Sequence, residues 1–261
     1  MTHVLTRLPP TATWNDLGAE LDLWAKAGRL ARFWWRDDDA VTTTPALDRL
    51  LAIARDIPLS LAVIPGAADK ALAGPIADYP NVTILQHGWR HANHAPPDKK
   101  KTEFGPDRPL RLRCEDIAAG RDRLSALFGA RFLPVLAPPW NRFEPDLLRF
   151  LPGLGLIGIS AIEPRQVAEP APGLAAINVH VDLTDWPIRR FIGEEKALAR
   201  IAGHLRARRL GQADPDEPTG LLTHHLVQDG ATENFLPRCL EFLQHHGAAR
   251  IVNAFAEAAP A

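Results

Sequence analysis

The feature that most restricts the fold is a series of short apolar runs, most of which lack the polar alternation of a half-exposed strand. They are ARFWW, LSLAVIP, VTILQH, FLPVLAP, GLIGISA, AINVHVD, GLLTHH and ARIVNA, and they are spaced along the whole chain. Strands that are apolar on both sides are covered on both sides, as in parallel sheets surrounded by helices. The runs therefore predict an α/β fold with a central parallel sheet.

The segments between these runs have the apolar spacing and the end signals of helices. Thr13 is placed to cap a first helix that ends at Gly28, and Thr44 followed by Pro45 begins a second. Further candidates are CEDIAAGRDRLSALFG, EPDLLRFLPG, EEKALARIAGHLRARR and NFLPRCLEFLQHHG. With no linker dividing the chain, the pattern predicts one single-domain distorted (β/α) barrel over residues 1–261, with about seven or eight parallel strands. An open, doubly wound sheet is the alternative.

Composition and charge limit the partners of the chain. Its formal net charge is −1 and its pI about 6.8, so there is no basic surplus that would favour a nucleic acid. No apolar run reaches the length of a membrane span. The amino terminus has no uninterrupted apolar segment behind a basic start, which predicts a cytoplasmic protein. The sequence leaves the oligomeric state open.

Two cysteines and two polar segments complete the outline. Cys114 and Cys239 lie in helical contexts without close spacing, which favours free thiols over a disulfide. The proline-containing segments 91–113 and 163–173 are expected to be loops.

Unusual polar residues follow several of the predicted strands directly. RDDD follows FWW, HGWRH follows VTILQ, APPWN follows FLPVL, DLTDW follows INVHV, and THH follows GLL. In a parallel barrel the carboxyl ends of the strands lie at one face, where active sites are built. These segments are therefore expected to contribute to one pocket.

The acidic run and the histidines indicate a cation site. Asp37, Asp38 and Asp39 are consecutive at the end of an apolar strand, where their mutual repulsion requires a positive partner unless they form a solvated turn. His87 and His91 are four residues apart, so both rings can lie on one side of a helical turn. Carboxylates and neutral imidazoles are suitable ligands for Zn²⁺ and its first-row neighbours.

The segments RDDDA, HGWRH, APPWN, VDLTDW and LLTHH, in this order over residues 36–225, resemble the five motifs of the polysaccharide deacetylase (NodB-homology) family. The resemblance implies that Asp38 is the catalytic base and that Asp39 is a metal ligand together with His87 and His91. The run of acids also allows the register in which Asp37 and Asp38 take these roles. The implied cofactor is one divalent ion, Zn first, with Co, Ni or Mn as alternatives.

The fifth and fourth motifs supply the remaining candidates for catalysis. The resemblance implies that His224 is the general acid, whereas His225 is expected to point to the opposite face of its strand. Asp182 and Asp185 lie in the fourth motif, and one of them is expected to orient His224. Trp186 is expected to line the sugar-facing wall, with a core position as the alternative.

The third motif departs from the family pattern. Where the family has an arginine that tunes the catalytic base, this chain has Ala137. Arg36 and Arg142 are the candidates to take over that role, if it is retained. Pro139 and Trp140 are expected at the substrate-binding surface, where a backbone N–H near Trp140 can help to bind an oxyanion.

Together with the predicted cation site, the resemblance implies a metal-dependent hydrolase that removes an N-acetyl group from an amino sugar or a related carbohydrate. The expected substrate is small or oligomeric, and neither a nucleic acid nor a membrane span is expected. Two alternatives remain at this stage. One is hydrolysis of a non-sugar amide on the same scaffold, and the other is a non-catalytic carbohydrate-binding protein.

Overall fold

Helices and strands alternate along residues 10–255, the part of the chain that the computed structural model describes. The helices are α1 (Trp14–Lys26), α2 (Pro45–Ile53), α3 (Ala73–Ala77), α4 (Leu110–Phe128), α5 (Glu194–Arg209) and α6 (Gly230–His245). The strands are β1 (Ala31–Ala40), β2 (Leu59–Val63), β3 (Val82–His87), β4 (Phe132–Ala137), β5 (Gly158–Ile159), β6 (Ala175–Ala176), β7 (Val181–Asp182), β8 (Thr184–Asp185), β9 (Arg190–Phe191), β10 (Thr219–Thr223) and β11 (Ala249–Ile251).

The main sheet is parallel and curled. Its order is β6-β5-β4-β3-β2-β1-β10-β7, and β11 pairs with β1 as well. Segment 175–183 joins both ends of this order, because the N–H of Ile177 donates to Ile159 O at 3.1 Å and that of His180 donates to Gly220 O at 2.8 Å. The predicted distorted (β/α) barrel is confirmed, and each predicted apolar run contributes residues to its strands. Strands β8 and β9 form a separate antiparallel hairpin.

Strand β1 lies in the middle of the sheet and is covered on both faces. Phe33 and Trp35 pack into the core between the sheet and the helices, whereas Trp34 packs into a second apolar cluster with Val135 and Leu222. This alternation assigns odd-numbered residues of the strand to the helix side and even-numbered ones to the barrel interior. It sets the direction of the acids that follow.

Most of the predicted helices are present, with two corrections. Thr13 forms a capping box with Asp16 at the start of α1, and Thr44 caps α2. The prediction of a helix over EPDLLRFLPG is wrong, because this segment forms 3₁₀ turns at Pro145–Phe150 and Pro152–Leu154. Pro152 lacks the N–H that an α-helix would need at that position, and Gly153 and Gly155, which follow it, disfavour continuation of a helix. The predicted loop 91–113 ends earlier than expected, where α4 begins.

The cysteines and the helices agree with what the sequence predicts. Cys114 and Cys239 are free, as predicted. Across residues 10–255, no helix has both the length and the apolar character that crossing a membrane requires.

A buried polar cluster lies at the amino ends of β7 and β10, at the opposite end of these strands from Asp182 and Thr223. The rings of His180 and His204 stack with their centroids 3.5 Å apart, and His180 Nε2 is 3.3 Å from a carboxylate oxygen of the fully buried Glu217. Nδ1 of His204 lies 2.9 Å from Thr219 Oγ1. The cluster fastens α5 to the strands that close the barrel.

This cluster contains two imidazoles and a carboxylate, the side chains of a metal site, but His180 has no free lone pair for a metal. The backbone N–H of Gly220 donates to His180 Nδ1 at 2.9 Å, so the neutral ring carries its proton on Nε2, the atom that faces Glu217. A metal at that atom would require an imidazolate. The cluster is therefore a hydrogen-bonded part of the core, and burial, followed by the charges of His180 and Arg208, lowers the pKa of His204 to about 2.

The depressed pKa of His204 predicts that the folded protein loses stability in mild acid. Its folded-state pKa is depressed, so below about pH 6.5 the unfolded chain binds a proton that the folded chain does not, and stability falls as the pH falls. One such group contributes about 1.4 kcal/mol for each pH unit. Denaturant unfolding of the wild type and of His204→Asn between pH 7 and pH 4.5 should show a shallower slope in the variant.

The exposed His245 supplies a matched control, because it lies at the end of α6. His245→Asn should keep the wild-type slope. Lower stability of His204→Asn at every pH, with an unchanged slope, would show that packing alone is lost.

Candidate active site

The three successive aspartates of β1 have three separate environments, of which Asp37 has the most enclosed. Its Oδ1 lies 2.5 Å from His225 Nδ1, and its Oδ2 accepts from Thr223 Oγ1 at 2.6 Å and from the His225 N–H at 3.0 Å. Trp35 donates to the same threonine hydroxyl at 2.8 Å. Asp37 thus lies on the helix-covered side of β1 and anchors the end of β10.

Asp38 faces the barrel interior and pairs with Arg36 on the same strand. Nε of Arg36 is 2.9 Å from Oδ1 of Asp38, and Nη2 donates to Oδ2 at 3.0 Å. The guanidinium also donates to the carbonyl and hydroxyl oxygens of Ser160, and at 2.6 Å to Asn141 Oδ1. Both ion-pair partners are buried. Two contacts from Arg36, which is itself held by Ser160 and Asn141, therefore fix the orientation of the Asp38 carboxylate.

Asp39 turns toward the same cavity as Asp38 because the strand is irregular at this point. The register between β1 and β2 shifts between Asp37 and Ala40, and Asp39 has a φ of 75°. Such a bulge redirects a side chain that regular alternation would send to the other face. As a result, Asp39 Oδ1 lies 3.2 Å from His87 Nε2 and 3.5 Å from His91 Nε2.

The donor chemistry of these three side chains fits a divalent cation. His87 Nδ1 lies 2.9 Å from Ala137 O, and a carbonyl only accepts, so the neutral ring presents the lone pair of Nε2 to Asp39 Oδ1. That oxygen is buried without a hydrogen-bond partner. Neighbouring ligand atoms of a tetrahedral zinc are about 3.3 Å apart when its bonds are 2.0–2.1 Å long, which agrees with the two separations.

The charges of these groups show that the site stabilises positive charge. Burial lowers the pKa of His87, but the carboxylates of Asp38 and Asp39 outweigh burial and raise it. Burial and the neighbouring His87 lower the pKa of His91. Burial opposes ionisation of Asp39, yet the adjacent imidazoles hold its pKa well below the usual range. The site therefore contains an ionised carboxylate that needs positive charge.

The loop that carries His91 is held by a buried acid, Glu103, that no sequence motif indicated. Glu103 is fully buried and accepts from the backbone N–H groups of Trp89, Arg90 and Ala92. Gly88 precedes this turn with a φ of 63°, and a Cβ there would overlap both Glu103 and Pro139. The only signal in the sequence is an acidic residue in a basic loop, KKKTEFG.

His224 lies beside the Arg36–Asp38 pair, because β10 runs next to β1 and Thr223 is in register with Asp37. Its Nδ1 is 3.8 Å from Asp182 Oδ1, and its ring packs edge-on against Trp186 with centroids 4.6 Å apart. Asp182 is fixed in turn by the Thr184 N–H at 2.9 Å and by Trp186 Nε1 at 2.8 Å. His225 lies on the opposite side of β10 with Asp37, as strand alternation predicts.

These groups line one cavity of about 590 Å³. Its lining residues are Asp38, Asp39, His87, His91, Lys101, Trp140, Asn141, Arg142, Ile162, Asp182, Trp186, Arg189 and His224. The five polar segments that follow predicted strands thus meet at one place. A cavity of this size accommodates a small ligand with a few polar contacts.

Backbone strain is concentrated at the same cavity. In residues 10–255, the non-glycine residues with positive φ are Asp39, His91, Trp140, Asn141, Glu163 and Arg189, and all but Glu163 line it. Such conformations cost free energy and persist where the surrounding structure holds them, often at ligand sites. Backbone conformation is independent of the chemistry of the side chains, and it indicates the same cavity as the polar side chains do.

Two of the predicted site residues do not line this cavity. Asp185 lies in the β8–β9 hairpin, paired in register with Arg190, while Asp182 is the carboxylate beside His224. Pro139 is buried and lies behind the wall, against Gly88. A role for Asp185 in catalysis, or for Pro139 in substrate binding, therefore stays a prediction that this placement does not support.

Comparison with solved structures identifies similar folds. A Mycobacterium smegmatis protein proposed to be a polysaccharide deacetylase aligns with a TM-score of 0.60 at 15% identity, covering 97% of both chains. A family 4 carbohydrate esterase from Streptomyces lividans, solved with acetate, aligns with a TM-score of 0.54 at 13% identity, covering 86% of this chain and 94% of its own. These likenesses establish the fold that the motif resemblance implied.

A third similar structure is a mutant of a family 4 carbohydrate esterase pseudoenzyme in which activity was restored. It aligns with a TM-score of 0.55 at 14% identity and covers 85% of this chain and 65% of its own. No protein-family model matches the sequence, and no curated protein is significantly similar to it.

Removing the carboxylate of Glu103 should weaken the metal site without unfolding the barrel. In Glu103→Gln an amide nitrogen would face backbone N–H donors, at a cost of about 1–3 kcal/mol, and the turn that carries His91 would loosen. We expect zinc affinity to fall about tenfold or more, as measured by titration against a competing chelator. Circular dichroism should remain that of the wild type.

Asp107→Asn is the control, because Asp107 belongs to the same loop but pairs with Lys99. It should bind zinc as the wild type does. Equal losses of affinity in both variants would assign the effect to loop charge instead of to the buried contacts of Glu103.

Proposed function

We propose that the protein is a metal-dependent hydrolase that removes an N-acetyl group from an amino sugar. The observation that carries this proposal is the composition of one cavity, which is lined by a cation-binding set of donors, a buried carboxylate and an imidazole. The fold of known deacetylases supports the same reaction class, but their low identity to this chain supports only the scaffold.

Asp39, His87 and His91 would hold the divalent ion, with zinc as the first candidate. When bound, the ion supplies Lewis-acid polarisation of the acyl carbonyl and lowers the pKa of a water molecule. The carbonyl of Ala137 keeps His87 in the tautomer that binds, and Glu103 keeps His91 in place. Three protein ligands leave room for water and substrate, as catalytic zinc sites require.

Asp38 is the proposed general base. It lines the cavity beside Asp39, and its carboxylate is oriented by Arg36, so it can accept a proton from the attacking water. Arg36 thus fills the role that the resemblance assigns to an arginine of the third motif. Arg142, the other candidate, donates to the carbonyl of Lys101 instead.

His224 is the proposed general acid. Asp182 lies near its Nδ1, which leaves Nε2 to deliver a proton to the leaving amine. Trp186 packs against this imidazole, and Trp140 packs against His91 with ring centroids 4.3 Å apart. The two indoles form walls on which the apolar face of a sugar ring can lie.

Release of acetate tests the reaction. The purified protein, loaded with zinc, should release acetate from N-acetylated amino sugars, and a chelator should abolish this activity until zinc is restored. Hydrolysis of simple amides but of no acetylated sugar would overturn the assignment of substrate. A protein that binds zinc and acetylated sugars without any turnover would be the non-catalytic alternative.

The roles assigned to the three aspartates predict a different defect for each substitution. Asp39→Asn, and the double change His87→Ala with His91→Ala, should lose stoichiometric zinc, because each removes donors of the site. Asp38→Asn should keep the zinc and lose turnover by about 10²- to 10⁴-fold. Elemental analysis and initial rates measure the two quantities separately.

Asp37→Asn completes this series, because Asp37 is buried against His225 and Thr223. It should lower thermal stability and retain zinc. Loss of zinc from Asp38→Asn, together with a purely catalytic defect in Asp37→Asn, would favour the alternative register.

His224, and not His225, should limit proton delivery to the amine. His224→Ala should reduce turnover of a substrate with a poor amine leaving group by about 10²- to 10⁴-fold, with zinc content unchanged. His225→Ala should chiefly lower stability, because its imidazole packs on Asp37 outside the cavity. Comparing kcat with the temperature of unfolding separates these effects, and a larger catalytic loss in His225→Ala would contradict the assignment.

A further inference from the structure

Three cationic side chains from separate segments surround the mouth of the cavity. Lys101 belongs to the loop before α4, Arg142 follows the left-handed turn at Trp140 and Asn141, and Arg189 lies in the β8–β9 hairpin. All three are exposed. Across residues 10–255 none of them forms an ion pair with an acidic side chain, unlike Lys99, which pairs with Asp107.

Hydrogen bonds join the two segments that carry Lys101 and Arg142. Nη1 of Arg142 donates to the Lys101 carbonyl at 3.2 Å, and the hydroxyl of Thr102 donates to the Arg142 carbonyl at 3.0 Å. Both cationic side chains line the cavity, so an anion bound there would be attracted by both charges. The pair therefore favours a negative ligand over a neutral one.

The acids of the cavity do not neutralise these cations by contact. Asp38 pairs with Arg36, Asp39 lies among the histidines, and Asp182 accepts from Thr184 and Trp186. A divalent cation at the metal site would add further positive charge. With a divalent cation bound, the positive charges at the cavity would outnumber the carboxylates of Asp38, Asp39 and Asp182, although the whole chain has a formal net charge of −1.

Arg189 is placed beside the substrate wall by a strained turn. Its φ is 49°, in the same hairpin as Trp186, which is 45% exposed. Arginine offers a planar fork that matches phosphate and carboxylate oxygens. A strained residue that presents such a fork next to an aromatic wall is consistent with contact to a substrate.

We propose that the substrate is an amino sugar that carries an anionic group, a phosphate or a carboxylate, bound by Lys101, Arg142 and Arg189. This inference rests on the proposed deacetylase function and specifies its substrate class. The cations lie at the mouth while the metal donors lie deeper, so the anion belongs to a part of the substrate outside the acetamide.

Initial rates on a matched set of substrates test the proposal. The zinc-loaded protein is given N-acetylglucosamine, its 6-phosphate, its uridine diphosphate conjugate and N-acetylmuramic acid, which supply no anion, a monoester, a diphosphate and a carboxylate. At least one anionic substrate should have a kcat/KM about tenfold or more above that of the neutral sugar. This ratio should fall between 0.05 M and 0.5 M salt, because salt screens exposed charges.

Substitutions test whether the three cationic residues cause the preference for anionic substrates. Replacing Lys101, Arg142 and Arg189 together by Gln should lower the ratio of anionic to neutral kcat/KM about tenfold or more. The matched control is Lys100→Gln with Arg190→Gln, two exposed neighbours that do not line the cavity, and it should keep the wild-type ratio. Equal rates on neutral and anionic sugars, or equal effects of both variants, would overturn the proposal.

A binding measurement separates this inference from the proposed function. Calorimetry on the zinc-loaded protein compares glucosamine 6-phosphate with glucosamine, and the phosphate should bind at least about tenfold more tightly in the wild type but not in the triple variant. If no acetylated sugar is hydrolysed, the proposed function fails, and this comparison still decides whether the cations bind an anion. Equal affinities for both ligands would overturn the inference whether or not acetate is released.

Discussion

Three consecutive carboxylates at the end of one buried strand are the constraint on which the rest of this structure depends. Burying an unpaired charge is costly, so each of Asp37, Asp38 and Asp39 requires its own counterpart. Asp37 uses donors on β10, Asp38 uses Arg36, and Asp39 faces two imidazoles on β3 and the loop after it. Because the counterparts come from different strands, neutralising the run also fixes the strand ends around the cavity.

The sequence was sufficient to predict what depends on local pattern. Apolar runs without alternation identified the strands, and strand alternation separated His224 from His225. Alternation alone would have sent Asp38 and Asp39 to opposite faces. The motif resemblance aligned them as an adjacent pair, but the bulge that turns both into one cavity depends on pairing with β2, which a single strand does not encode.

Contacts between distant segments could not be predicted from the sequence for the same reason. Glu103 is a loop residue among lysines in the sequence, and only the folded chain brings three backbone N–H groups to it. Asp182 and Asp185 are equivalent in the sequence, but the β8–β9 hairpin leaves only Asp182 beside His224. Sequence patterns define the candidates, and the turns between elements select among them.

The contact between Arg36 and Asp38 follows from strand geometry. Residues two apart on a strand share a face, so Arg36 and Asp38 both face the barrel interior and form their ion pair without help from β4. Ala137 packs in the interior apolar cluster, while its carbonyl orients His87. The positive charge that orients Asp38 therefore lies on the same strand as this carboxylate. Ser160 and Asn141 accept hydrogen bonds from the guanidinium and so hold it in place from two other segments of the chain.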